Sequence, residues 1–287
     1  MSTNLVIPAD LAALKAAGFA PPVPKPLKTP RIAVATSGRT KSGKSHWSIM
    51  TTPEPVAYIM ADPGSLQLAD KAVARGRKVI PLFIEHSKKE SQDQAKLLWQ
   101  KYRKAIQTVL GAKSIRTLVI DTETEMWELL QMAEFGKLKQ NNKFAYGALN
   151  AEFSGIVENA YYARPDLNLV VISKVKKLNT KGKPKADGQD MGGDWDGKTY
   201  ETKGYKDMDY LVDLSIRHGF AERQFYFETN DSEATRFGGE YSGLKFAGPE
   251  CSFTDLALHV FKDADKCREL GFEVSGCDPE YWGVSLW

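Results

Sequence analysis

From residue 31 onward the chain alternates short continuous apolar runs with stretches whose apolar residues recur every three or four positions. The runs are IAVAT (32–36), VAYIMA (56–61), KVIPLFI (78–84), TLVID (117–121), NLVVIS (168–173), YLVDLSI (210–216) and QFYFET (224–229). Several lack polar alternation, as strands buried on both faces require. The helical period predicts helices from Lys44 onward and over 66–75, 91–110, 123–138, 146–164 and 254–262, the last behind Ser252 as a cap. Strands alternating with helices need crossover connections, so the expected fold is α/β, a mostly parallel sheet with helices on both faces. One core is expected over 31–263. The stretch PPVPKPLKTP (21–30) is held extended by its prolines and predicts a flexible arm over 1–30, and 264–287 reads as a C-terminal tail.

Composition changes this picture little. The 287 residues are 42% apolar, ample for a core. A formal net charge of +3 leaves any basic footprint to be local. Cys251, Cys267 and Cys277 form no CxxC pair and the four histidines are scattered, which argues against a zinc site or a disulfide framework. There is no basic start followed by an apolar core at the N-terminus and no apolar run of 18 residues, so the expectation is a cytoplasmic protein that engages no membrane.

The strongest chemical signal follows the first apolar run. Gly38, Arg39, Thr40, Lys41, Ser42, Gly43, Lys44 and Ser45 fit the phosphate-loop pattern GxxxxGK[ST], between an expected strand and an expected helix that continues through His46. Glycines let backbone N–H groups curl around a phosphate, and the helix N-terminus adds its positive end. Lys44 would reach the β- and γ-phosphates, and the Ser45 hydroxyl would ligate Mg2+. A partner carboxylate ends the run TLVID: Asp121 would face the metal shell opposite Ser45. Hydrolysis also needs a group that orients water, and two carboxylates qualify, Glu123 just past Asp121 and Asp62 at the end of VAYIMAD. Asp62-Pro63-Gly64 equally suits a simple turn. Trp47, next in the helix start, reads as core.

Local charge gathers in two places. The segment 174–206 lacks apolar periodicity and opens with Lys174, Lys176, Lys177, Lys181, Lys183 and Lys185 with no acid among them; Asp187, Asp190, Asp194 and Asp196 follow. The segment 136–147 interleaves Lys137, Lys139 and Lys143 with Phe144 and Tyr146. Lysines neutralise phosphates without sequence preference and aromatic rings stack on unpaired bases. The alternative is a solvated loop with Phe144 and Tyr146 in the core.

Residues 31 to about 262 resemble small phage-encoded P-loop nucleotide-binding proteins with a RecA-like core, some of which are single-strand annealing recombinases. The resemblance rests on the phosphate loop, on Asp121-Thr122 at the end of TLVID, and on the order of the intervening strands. It implies ATP as the nucleotide, Asp62 as the first choice for the catalytic carboxylate, Ser173 and Lys174 at the place of a γ-phosphate sensor, and the two lysine segments along a single-stranded DNA path. It further implies a ring or filament of identical subunits, with the proline-rich arm free to dock a replication or recombination partner. The expected activity is ATP hydrolysis in phage DNA recombination or replication. An ATP-binding adaptor or helicase-loader-like protein without DNA-stimulated turnover stays open, and a small-molecule kinase less so, since no arginine-bearing lid stands out. The NKxD of a GTPase is missing after NLVVIS, where SKVKK stands.

Overall fold

The computed structural model describes residues 31–86, 90–138, 145–177, 200–229 and 243–261. The arm 1–30 and the tail 264–287 lie outside them. Strands β1 (Ala33–Gly38), β2 (Val56–Met60), β3 (Val79–Phe83), β4 (Thr117–Asp121) and β5 (Asn168–Ile172) fall on the first five apolar runs. They are joined by β8 (Leu214–Ala221), β9 (Gln224–Thr229) and β10 (Lys245–Ala247) in one eight-stranded sheet of order β10-β9-β8-β1-β5-β4-β2-β3. From β8 to β3 all neighbours are parallel; β9 and β10 extend the sheet antiparallel.

The parallel arrangement follows from the crossover helices, which cover both faces. On one side α3 (Gln92–Gly111), α4 (Glu123–Phe135) and α5 (Tyr146–Ala163) enclose a core with Trp99, Leu129 and Phe153 at its centre. On the other, α1 (Lys44–Met50), α2 (Gly64–Ala74) and α7 (Phe253–Phe261) pack Trp47, Tyr58 and Phe253 against the sheet. Local chemistry sets the ends of these helices. Ser91 and Gln94 form a reciprocal capping box at the start of α3, and Ser252 accepts the Asp255 N–H at the start of α7. Gly136, in the left-handed conformation, stops α4 three residues short of the predicted 138. This is the expected α/β fold, with β5 lying between β1, the strand that leads into the glycine loop, and β4, the strand that ends in Asp121.

Two expectations shift. The run YLVDLSI is divided: Tyr210 and Leu211 belong to a short helix α6 (Met208–Leu211), and the strand begins at Leu214. Segment 174–206, read as irregular, has structured ends, because β6 (Lys174–Lys177) and β7 (Tyr200–Lys203) pair as an antiparallel ladder with Lys174 opposite Lys203.

Candidate functional site

The parallel register brings the carboxyl ends of four strands to one edge. Met60 pairs with Asp121, Asp121 with Ile172, and Thr36 with Ile172, so the residues that follow β1, β2, β4 and β5 converge there. The phosphate loop leaves β1 at Gly38. A Cβ on Gly38 would stand 2.5 Å from the His218 carbonyl oxygen and 2.7 Å from Ser42 Oγ, so only glycine fits. Gly43 has φ 90°, and a Cβ there would lie 3.0 Å from the Phe225 ring. α1 starts immediately after it. The Lys44 ammonium sits inside the curl, donating to the carbonyls of Gly38 (2.9 Å) and Arg39 (2.8 Å). Burial pulls its pKa down to about 8, against the opposing pull of Asp121 and Asp62.

Asp121 is almost fully buried at the end of β4. Its Oδ2 accepts from Tyr58 (2.5 Å) and from Ser65 (2.8 Å). The neighbouring Ser45 hydroxyl, with that of Ser65, favours the phenolate, a smaller effect than the upward pull on the Tyr58 pKa. Burial, and then the Asp121 charge, raise the Tyr58 pKa well above its ordinary value, keeping it a neutral donor. Sequence reading missed Tyr58 because VAYIM scans as core; a lone phenol in an otherwise aliphatic buried strand was the available signal, since a buried hydroxyl needs a partner.

A cavity of about 530 Å3 opens beside the loop. Thr40 to His46 form one wall, Phe225 stands at the Gly43 end, and Asp62, Ser65, Gln67, Leu68, Lys71 and Arg75 form the α2 side. Asp62 is half-buried, and its Oδ1 accepts the Gly64 N–H at 3.0 Å, so it both shapes the turn into α2 and faces the cavity. His46 is held neutral, its pKa lowered to about 4 by burial and then by Arg75 and Lys71. Beneath the loop Trp47 is fully buried among His218, Phe227 and Phe253.

Glu123, Ser173 and Lys174 follow β4 and β5 at the same edge but do not line the cavity. Glu123 is fully buried, its Oε2 accepting from Ser173 Oγ at 2.9 Å and its Oε1 accepting the Tyr205 N–H. Burial raises its pKa to about 8. Gly204 is what lets the chain pass over it: a Cβ there would lie 2.2 Å from Oε2, at φ 135°. Ser173 also donates its N–H to Thr36 O of β1 at 2.8 Å. The Lys174 ammonium is paired with Glu125.

Of the lysine and aromatic candidates, Lys137 is exposed past the end of α4, and Lys176 is exposed on β6. Tyr146 opens α5 and packs its ring edge-on against Phe135, centroids 5.4 Å apart, which is the core alternative. Lys177 closes β6. Lys139, Lys143, Phe144, Lys181, Lys183 and Lys185 lie outside the described residues. Among the described residues no helix is long and apolar enough to cross a membrane.

No protein-family model matches the chain, and no curated protein matches it. Among solved structures it is similar to a RadB recombinase, at 15% identity and a TM-score of 0.44, over 76% of this chain and 87% of that one.

Proposed function

We propose that this chain is a Mg2+-dependent ATP-binding and ATP-hydrolysing protein of DNA recombination or replication, of the phage type, that engages single-stranded DNA. The observation that supports it most is the placement of Lys44 and Ser45: the ammonium sits inside a glycine curl and the hydroxyl lines a nucleotide-sized cavity beside it, with Asp121 held by Tyr58 and Ser65 at the end of the neighbouring β4. These residues fit the group they would hold. Lys44 and the backbone of 38–46 would take the phosphates, Ser45 and Asp121 the metal shell, and the cavity between α1 and α2 the nucleoside. A bound Mg2+ supplies charge neutralisation between the phosphates. The chain's own part is to fix the phosphates, hold Asp121 oriented through Tyr58 and Ser65, and present Asp62 to a water.

The lysines of β6 and β7 lie past the same edge, and with the basic start of segment 174–206 they suit a phosphate backbone. Assembly into a ring or filament, and docking of a partner by the proline-rich arm, belong to the same reading. A second reading, an ATP-binding adaptor without turnover, is favoured by one observation: Asp62 is occupied by the Gly64 N–H, and both oxygens of Glu123 are engaged. Phosphate release measured with and without single-stranded DNA separates the two. DNA-stimulated release is expected, and tight ATP binding without release selects the adaptor. Lys44→Ala should abolish ATP binding in either case; undiminished affinity would refute the nucleotide site itself.

A further inference from the structure

The two ends of segment 174–206 are fastened to the first turns of α4 by a set of contacts that nucleotide binding does not require. Thr124, the second residue of α4, is fully buried. Its hydroxyl donates to Lys203 O at 2.6 Å and accepts the Lys174 N–H at 2.9 Å. Lys174 and Lys203 are register partners, so one side chain closes the root of the β6–β7 ladder across both strands. Glu123, beside it, holds Ser173 just before β6 and Tyr205 just after β7. Glu125 pairs with Lys174 and Glu128 with Lys203 at 2.6 Å. The lysines in those two pairs are more than a third exposed, so the pairs are screened and the buried hydroxyl and carboxyl set the geometry.

The helix making these contacts begins just past Asp121, and Ser173 is tied to β1 two residues before Gly38. A shift of the phosphate loop or of Asp121 therefore reaches both strands of the hairpin through one buried joint. We propose that Thr124 is a positioning residue that couples occupancy of the phosphate loop to the β6–β7 hairpin and the lysines it carries. The inference rests on the nucleotide reading above, and it adds a linkage that reading lacks: by reciprocity, an anion held by the hairpin lysines would change nucleotide affinity by the factor with which nucleotide changes theirs.

Hydrogen exchange of the full chain, read by mass spectrometry with and without saturating Mg2+-ATP, tests it. In the wild type, nucleotide should slow exchange about fivefold or more both in the phosphate-loop peptides and in those covering 174–177 and 200–205. Thr124→Ser keeps the hydroxyl and should behave alike. Thr124→Val keeps the shape without the hydroxyl; its phosphate loop should still be protected by nucleotide while its hairpin is not. Equal hairpin protection in Thr124→Val and wild type overturns the proposal. So does a wild-type hairpin that ignores nucleotide while the loop responds, an arm that needs no variant to fold. A wild-type loop that itself fails to respond overturns the nucleotide reading, and this inference with it.

Discussion

Replacing Tyr58 by Phe removes one oxygen atom from a fully buried position and should disturb two residues at once. The lost hydroxyl donates to Asp121 Oδ2 at 2.5 Å and lies beside the Ser45 hydroxyl, which acts on its pKa. A hydrogen bond to a charged group contributes about 1.5–3 kcal/mol, and Asp121 is too buried for water to replace the donor. Ser65 remains, at 2.8 Å, so the carboxylate is weakened and not stranded. For a domain of this size the loss should lower Tm by about 3 to 12 °C. Far-UV circular dichroism of the ligand-free protein reads that shift. A Mg2+ titration of ATP binding reads the second effect, a higher metal requirement once Asp121 loses the donor that orients it and Ser45 loses its phenol neighbour. Ser65→Ala should cost a comparable amount alone. The pair together should cost more than the sum, because the second loss leaves a buried carboxylate with neither side-chain donor. A Tyr58→Phe protein with unchanged Tm and unchanged Mg2+ dependence would refute the reasoning.

Asp62→Asn should lower ATP turnover by orders of magnitude with little change in ATP affinity, whereas Glu123→Gln, at a buried residue outside the cavity lining, should leave turnover largely intact; steady-state kinetics with a binding isotherm decide, and the reverse pattern would move the water-orienting role to Glu123. Gly204→Ala should destabilise the fold by about 1–3 kcal/mol or more, read by urea denaturation, since the added methyl meets the Glu123 carboxyl at a φ that other residues avoid. Changing Lys176, Lys181, Lys183 and Lys185 to alanine should weaken single-stranded DNA binding alike for all sequences and reduce the log-log salt slope by about 0.7 per lost contact. No affinity for single strands at low salt in the presence of Mg2+-ATP would remove DNA from the reading.

How far the sequence carried depended on what each residue buries. TLVID matched β4 residue for residue, because a strand covered on both faces leaves a nearly uninterrupted apolar run, and QFYFET matched β9 through its strand-favouring aromatic residues. The phosphate loop was legible because its glycines answer to local backbone geometry, and Gly38 indeed has no room for a Cβ. The β6–β7 hairpin was not legible: Lys176 and Thr202 are exposed, and the root of the ladder is held by polar contacts to α4 that no periodicity encodes. Tyr58 and Thr124 escaped notice for a related reason. Each sits within or beside an apolar element, and its hydroxyl finds its partners only after distant strands have been brought together.

The central place of β1 in the sheet bears on the order in which the protein can form. Among the described residues β1 pairs with nothing near it in sequence: Ile32, just before it, bonds Asn168, 136 residues away, and Ala33 bonds Asp213, 180 residues away. At synthesis rates of about 5–20 residues per second, IAVATS waits on the order of ten seconds for its first neighbour. Through that interval the glycine loop hangs from a strand with two open edges, exposed to the pairing errors that long-range β contacts invite. A nascent chain stopped before β5 would carry the whole GxxxxGKS motif and be unable to use it. Nucleotide competence should therefore arrive late in synthesis and abruptly, with the docking of β5 and β8 on either side of β1.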